Sequence, residues 1–126
     1  MSIRAMCDAF EVTPRTLRFY EQKELLFPLR DGQKRLFTRR DRARLKLILR
    51  GRRFGISLED IRQLLDIYDM GKQKDLQLEK TLEIARRRLA EMQAQRREID
   101  EAIAELSTRI EGGEQLLAEE RRTTAA

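Results

Sequence analysis

The chain has 126 residues, of which 40% are hydrophobic and 39% are charged, and its formal net charge at neutral pH is +5. This length and composition describe one small domain, or a small domain with an elongated appendage, and disfavour two separate globular cores. The sequence has no histidine and one cysteine, which excludes Ser-His-Asp and Cys-His catalytic units, imidazole and multi-thiolate metal sites, an internal disulfide and a CxxC pair. We therefore expect neither an enzyme nor a bound metal or other cofactor.

The positive charge is confined to the N-terminal half of the chain. Residues 1–60 hold 15 Lys or Arg and 8 Asp or Glu, whereas residues 61–126 hold 12 and 14. Within residues 30–53, 11 of 24 residues are basic. A solvated helix face is the commoner explanation of mixed charge, but a patch of one sign repels itself on a small domain. A polyanionic partner relieves this repulsion and releases counterions, so the pattern favours nucleic-acid binding.

No stretch of the sequence approaches the roughly 18 consecutive apolar residues of a membrane span. The first residues also lack the apolar core of a signal peptide. A single cysteine fits a reducing compartment. We therefore expect a cytoplasmic protein that does not contact a membrane.

Two short helices are predicted at the start of the chain. The first begins after Ser2 and ends near residues 11–12, and the second begins at Thr13 and Pro14 and runs to about Lys23. Threonine at the N-cap with proline at the first helical position is a helix start, because proline lacks only an N–H that would be unpaired anyway. A turn of three or four residues between two short helices indicates a helix-turn-helix.

The second helix is predicted to have an inner and an outer face. Leu17 and one aromatic side chain point inward, while Arg15 and Arg18, three residues apart, share the outer face. After this helix, Asp31 and Gly32 form a tight-turn signal between two short extended segments. We expect a small β-hairpin, or wing, with Arg30 and Arg35 on opposite strands.

Two more helices are predicted after the wing. Thr38 caps the third helix with Asp41 as its acidic partner, and Gly55 ends it. Arg39 and Arg40 occupy its first turn, where a cation costs about 0.3–1 kcal/mol against the helix dipole, which indicates an anionic partner there. A fourth helix opens after Ser57. Its predicted buried stripe is Leu58, Ile61, Leu64, Leu65 and Tyr68.

The last long segment has a different period. Apolar residues recur at alternating spacings of four and three, with Arg96 as the polar exception. A 3.5-residue repeat over more than four heptads, spanning roughly 48 Å, indicates a coiled coil that needs a partner chain. Arg96 either fixes the register or extends to the rim. The predicted dimerisation positions are Leu78, Leu82, Ala85, Leu89, Met92, Ile99, Ile103, Leu106 and Ile110.

Three segments resemble a known family. Residues 13–26, TPRTLRFYEQKELL, are similar to the recognition segment of the MerR family of bacterial transcription regulators. The wing of that family is matched by Pro28, Arg30, Gly32, Arg35 and Phe37. The following helix pair is matched by Asp41, Leu45, Ile48, residues 54–58 and Ile61. The chain is identified as a member of this family over essentially its whole length. Residues 32–35 and 44–51 most resemble the subgroup that controls genes of branched-chain amino-acid and acyl-CoA catabolism.

The resemblance implies a mainly α fold, with a winged helix-turn-helix DNA-binding domain and a long antiparallel coiled-coil dimerisation helix. We expect the DNA-binding domain at 1–69, a linker at 70–74, the coiled coil at 75–111 and a short C-terminal tail or helix at 112–126. Glu11 and Glu24 stand where glycines are usual, which implies that both adopt a left-handed backbone conformation.

The resemblance also implies a set of DNA-binding residues. These are Thr13, Arg15, Arg18, Phe19, Tyr20, Arg30, Arg35, Phe37 and Arg39. Phe19 and Phe37 stand where the family has tyrosines, so they lack hydroxyls that would reach phosphate. A core position is an equally good explanation for Tyr20. Which arginines bind bases and which bind phosphates stays open.

The function implied is that of a sequence-specific transcriptional regulator. A homodimer on a palindrome in the promoter spacer would bend and untwist double-stranded DNA so that RNA polymerase engages both promoter elements. Simple steric repression is equally compatible, and the effector stays unknown because the sequence has neither a separate drug-binding domain nor a cysteine-containing loop. Cys7 fits a buried thiol better than a sensor. The alternative is a non-specific nucleoid-associated or scaffolding coiled-coil protein that binds DNA.

Overall fold

The computed structural model describes the backbone of residues 1–70 and 74–125 and the side chains of residues 1–68 and 74–125. The prediction of a mainly helical chain with a two-stranded wing and a long C-terminal helix is confirmed. In chain order the elements are α1 (Ile3–Phe10), α2 (Pro14–Gln22), β1 (Leu29–Asp31), β2 (Lys34–Leu36), α3 (Arg39–Arg53), α4 (Leu58–Met70) and α5 (Lys74–Ala125).

The chain divides into two compact units, Met1–Ala85 and Arg86–Ala126. The first unit therefore contains the helix-turn-helix, the wing, α3, α4 and the beginning of α5. This unit extends past the predicted domain boundary at residue 69 because the first turns of α5 pack within it, where Ile84 is buried. Residues 71–73 of the predicted 70–74 linker lie outside the described residues.

The starts of α1 and α2 have the predicted caps. The Ser2 hydroxyl accepts a hydrogen bond from the Ala5 amide at 3.1 Å, and the Thr13 hydroxyl accepts one from the Thr16 amide at 3.2 Å. Each cap satisfies an amide that the first turn of a helix leaves unpaired. Pro14 is in the first turn of α2, as expected.

The left-handed turns predicted at two glutamates are confirmed. Glu11 has φ 53° at the end of α1, and Glu24 has φ 60° after α2. The second turn is held by Arg62 of α4, which donates to the main-chain carbonyl of Glu24 at 3.3 Å and also to that of Lys23. Arg62 therefore ties α4 to the end of α2 and pairs carbonyls that no longer have a helical partner.

The core of the first unit is formed by side chains from α1, α2, α3 and α4, together with Leu25 and Leu26 after α2 and Phe37 after β2. Leu17 and Tyr20 point inward from α2, which confirms the prediction of Leu17 and one aromatic. In α4, Ile61 and Leu65 are buried, but the prediction for Tyr68 is wrong, because its side chain is 44% exposed. The buried apolar cluster is Met6, Leu17, Tyr20, Leu25, Leu26, Phe37, Leu45, Ile48, Ile61 and Leu65.

The start of α3 carries a complete capping box, as predicted. The Asp41 amide donates to the Thr38 hydroxyl at 3.1 Å, and the Thr38 amide donates to Asp41 Oδ2 at 3.0 Å. Asp41 is only 1% exposed, and its Oδ1 also accepts a hydrogen bond from the Phe27 amide at 2.9 Å. One buried carboxylate thus fixes both the start of α3 and the chain that leads into the wing.

The wing is the predicted antiparallel hairpin. β1 and β2 pair with Arg30 opposite Arg35, and Gly32 adopts φ 64° in the turn between them. Ser2 forms an isolated bridge with Leu36. The base of the wing is therefore joined to the start of α1.

The helix α5 is continuous over 52 residues. It runs through Gly112 and Gly113, so the expected separation of a tail at 112–126 from the preceding helix does not appear in the secondary structure; residue 126 lies outside the described residues. The two glycines cost about 1 kcal/mol each relative to alanine, and the surrounding Glu, Gln, Leu and Ala residues are strong helix formers that offset this cost. Within the described residues, no helix is long and apolar enough to cross a membrane.

Candidate nucleic-acid interface

The outer face of α2 presents polar and basic side chains, as predicted. Arg15, Arg18 and Phe19 are exposed, and so is Thr13 at the N-cap. Thr13 and Thr16 share a hydrogen bond between their hydroxyls at 3.0 Å, so this end of the helix offers hydroxyls that are already oriented. Leu17 and Tyr20 anchor the opposite face of α2 in the core. The helix that carries the exposed arginines is therefore held in place.

A single carboxylate joins α2 to the wing. Glu21 Oε1 accepts a hydrogen bond from Arg30 Nη2 at 2.9 Å, and Glu21 Oε2 accepts one from Arg35 Nε at 2.7 Å. The Glu21 side chain is 19% exposed, compared with 25% for Arg35 and 55% for Arg30. Charge-assisted pairs to a shared carboxylate fix orientation as well as adding stability. Glu21 therefore places the wing beside α2, and the junction keeps a net positive charge.

The start of α3 adds two exposed arginines to the basic surface of the first unit. Arg39 and Arg40 are both exposed, and the Arg40 guanidinium lies 6.0 Å from the centre of the Phe27 ring. This contact is at the edge of the range for a cation–π interaction. The helix dipole disfavours both cations here, so a bound anion would be stabilised at this position by charge.

Two of the predicted DNA-binding residues are buried. Phe37 is 2% exposed and Tyr20 is 7% exposed, and both belong to the apolar core. Phe37 follows β2 and turns into the core at the base of the wing, which explains why a residue without a hydroxyl is stable there. The surface prediction for the Phe37 side chain is therefore corrected. The sequence left a core position and a DNA contact open for Tyr20, and in the structure its side chain lies in the core.

Three polar residues that organise this surface were missed by the sequence reasoning. Glu21 was not recognised as the partner of the wing arginines, and Arg62 was not recognised as the cap of α2. Arg44 was counted in the basic run, but it is 2% exposed and donates to the Leu25 carbonyl at 2.7 Å, with its guanidinium 5.3 Å from the Phe27 ring centre. The one available signal was the acid at position 21, shortly before the strongly basic segment 30–53.

The nine predicted dimerisation residues line one stripe of α5. Ala85 is exposed, and the other eight are between 40% and 60% exposed in the single chain. A regular stripe of large apolar side chains left in water is typical of an interaction surface. Ile84 lies off this stripe and is buried within the first unit, a role that the heptad pattern did not predict.

Metal-ligating side chains do not cluster in residues 1–68 or 74–125, where no group of three or more Cys, Asp or Glu is placed to hold an ion. Cys7 is a free thiol, partly buried beside the core.

Models of two protein families match the chain. The model described as "MerR HTH family regulatory protein" matches residues 1–67, and the model described as "MerR, DNA binding" matches residues 42–109. Each match covers more than half of the sequence. The chain belongs to the MerR family. It is a DNA-binding transcriptional regulator with the helix-turn-helix and long helix expected of that family.

Curated relatives and solved structures agree with this assignment. The chain is 37% identical over 97 residues to the HTH-type transcriptional regulator ZntR of Escherichia coli K12, covering 71% of this chain and 68% of ZntR. It is 32% identical over 85 residues to a ZntR homolog of Haemophilus influenzae, covering 66% and 63%. These relatives are transcriptional regulators, and the subgroup suggested by residues 32–35 and 44–51 stays a prediction.

Among solved structures, the chain is similar to a transcription regulator from Ralstonia metallidurans in complex with lead(II). That likeness has a TM-score of 0.57 and 27% identity and covers 79% of this chain and 82% of the other. It is also similar in fold to HiNmlR, a MerR family regulator lacking the sensor domain and bound to promoter DNA. There the TM-score is 0.59, the identity is 24%, and the coverage is 82% and 77%.

Proposed function

We propose that this MerR-family chain acts as a homodimer that binds a palindromic promoter site through α2 and the wing. The observation that carries the proposal is the pairing of Glu21 with Arg30 and Arg35. It sets the wing cations next to the exposed face of α2, so helix and wing form one basic surface. Such a surface suits a duplex, because α2 fits a major groove while the wing reaches the neighbouring phosphates.

The proposed DNA contacts are the exposed members of the predicted set. They are Thr13, Arg15, Arg18, Phe19, Arg30, Arg35 and Arg39. Arginine suits both base and phosphate recognition, because its planar guanidinium pairs bidentately with guanine or with phosphate oxygens. Tyr20 and Phe37 contribute by holding α2 and the base of the wing against the core rather than by contacting DNA.

The proposed dimer forms along the exposed stripe of α5. We assign DNA binding to residues 1–69, the linker to 70–74 and dimerisation to 75–111, with 112–125 extending the same helix. An antiparallel arrangement pairs the start of one stripe with the end of the other, and the heptad spacing is compatible with that pairing. Two DNA-binding domains in one dimer match the two halves of a palindrome.

The proposed mechanism is distortion of the promoter. Deforming a site of this length costs about 1–6 kcal/mol, which contacts from both wings and both α2 helices offset. The distorted promoter then lets RNA polymerase engage both of its elements. Because its partners are promoter DNA and polymerase, we place the protein in the cytoplasm.

Genome-wide recovery of bound DNA tests this function. The full-length protein, tagged at its C-terminus, is crosslinked in cells, and the recovered fragments are sequenced. We expect fragments that share an inverted repeat located between promoter elements. Fragments spread evenly over the genome, without a shared repeat, would instead support a non-specific nucleoid-associated protein.

A further inference from the structure

A cavity of 190 Å³ lies in the first unit between α3, α4 and the beginning of α5. Its walls are almost entirely carbon. The apolar lining residues are Leu47, Phe54, Ile56, Ile61, Leu64, Ile84 and Ala85. The space opens to the surface, because Arg50, Phe54 and Ala85 among its lining residues are exposed. A space of this size lined by carbon is therefore suited to an apolar occupant.

The backbone of α3 helps to shape this space. Gly51 is buried, and a Cβ built at this position would lie 2.9 Å from the Ile61 side chain. Ile61 therefore packs directly on the glycine, and a larger residue at position 51 would push it. The close approach of α4 to α3 at Gly51 fixes one wall of the cavity.

The polar groups around the cavity favour a negatively charged ligand. Arg50 is the one ionisable side chain among the lining residues, and the lining includes no carboxylate. Within the described residues, Arg50 makes no hydrogen bond or ion pair. The Gln77 side chain adds an amide donor, whereas the Thr81 hydroxyl donates its proton to the Gln77 carbonyl at 2.7 Å. The available donors are thus a guanidinium and an amide, which suit a carboxylate.

We propose that this cavity is a binding site for a small monocarboxylate with a compact apolar body. Arg50 pairs with the carboxylate at the mouth, and the apolar body fills the space between Ile61 and Ile84. A cavity of about 150 Å³ lined by similar side chains holds benzene, so 190 Å³ takes a body of about six to eight carbon atoms. The lining includes none of the proposed DNA contacts, but it includes Ala85, one of the proposed dimerisation positions.

The direct test is titration of the full-length protein, without DNA, with benzoate. Methyl resonances of isoleucine are followed by NMR, and benzyl alcohol serves as the uncharged ligand of similar size. We expect benzoate to shift the methyls of Ile61 and Ile84 and to leave those of Ile3 and Ile110 unchanged, with a Kd of about 1 mM or tighter. Benzyl alcohol should bind about tenfold or more weakly, because it lacks the charge-assisted pair with Arg50. Biphenyl-4-carboxylate, which is too large for the cavity, should cause no shift.

Matched variants separate the contribution of the Arg50 charge to ligand binding from that of the apolar cavity. Arg50→Gln should weaken benzoate binding about tenfold or more and leave benzyl alcohol binding unchanged. Arg53→Gln removes an exposed arginine of the same helix that does not line the cavity, and it should leave both affinities unchanged. Leu64→Trp should abolish both by filling the space. Should that variant not fold, the wild-type methyl shifts still decide the question.

Three results would overturn the proposal. The first is no shift of the Ile61 and Ile84 methyls at about ten times the expected Kd. The second is equal binding of benzoate and benzyl alcohol by the wild type. The third is a contact between the Ile84 methyl and a side chain of a second copy, detected in mixed-label dimers, because the cavity would then be filled by the partner. None of these results bears on DNA binding.

Discussion

Arg35 of the wing donates to Glu21 of α2 through a hydrogen bond of 2.7 Å between Nε and Oε2. The two residues are 14 positions apart, and the Glu21 carboxylate is shared with Arg30. These hydrogen bonds connect α2 to the wing, the two parts of the proposed DNA-binding surface. The two arginines largely cover the Glu21 carboxylate, so its charge serves to orient the wing.

We expect Glu21→Gln to reduce specificity rather than total DNA binding. The change removes one negative charge from the basic surface, so affinity for random duplex should rise slightly. It also loosens the wing, so affinity for the operator should fall several-fold. Fluorescence anisotropy with both duplexes at one salt concentration measures the two effects. Glu24→Gln makes the same charge change at an exposed residue without the pairing, and an equal loss of specificity in that control would contradict the role of Glu21.

Arg18→Ala and Arg35→Ala should each weaken operator binding and reduce its salt dependence. An arginine that contacts the backbone releases counterions, so its removal lowers the slope of log affinity against log salt by about one unit. The slope is measured by titration over a series of salt concentrations. Arg97→Ala, in the second unit, is the control. Unchanged affinity and slope in both test variants would contradict the placement of these arginines at the DNA.

Asp41→Asn should destabilise the first unit. The buried carboxylate accepts hydrogen bonds from the amides of Phe27 and Thr38 and from the Thr38 hydroxyl. An amide group replaces one acceptor oxygen by a donor, so at least one buried partner is left unpaired, at a cost of about 1–3 kcal/mol. The free energy of unfolding is measured by urea denaturation, with the exposed Asp8→Asn as control. Equal stability of the two variants would mean that Asp41 is not needed as an acceptor.

Local hydrogen bonds explain why much of the fold was predictable from the sequence. The caps at Ser2, Thr13 and Thr38 and the turn at Gly32 each involve residues within a few positions of one another, so short motifs specify them. The left-handed turn at Glu24 was instead implied by the resemblance to the MerR family, in which a glycine is usual at that position.

The contacts that organise the surface were not predictable, because they join distant positions. Arg62 binds the carbonyl of Glu24 across 38 positions, and Arg44 binds that of Leu25 across 19. Composition cannot separate a buried arginine of this kind from an exposed one. Tyr68 has the spacing of the buried stripe of α4, yet its side chain is 44% exposed, so spacing alone did not decide its burial. The path of α5 through Gly112 depends on the surrounding helix formers.

Ile103→Asp should convert the proposed dimer into monomers. The residue is at the centre of one half of the exposed stripe, and a dimer would bury an unpaired carboxylate there. Light scattering gives the mass in solution. Ala104→Asp places the same charge on the next residue, away from the stripe, and should stay dimeric. A dimeric Ile103→Asp variant would refute the assignment of this stripe to dimerisation.

The central claim is that α2 and the wing recognise a particular DNA sequence. The most direct measurement is the ratio of affinities for a palindromic operator, taken from the recovered sites, and for random duplex of equal length at one fixed salt concentration. Specific regulators typically give a ratio of about 10³ or more, and we expect this protein to do the same. A ratio near one would contradict sequence-specific regulation and leave a non-specific DNA-binding protein.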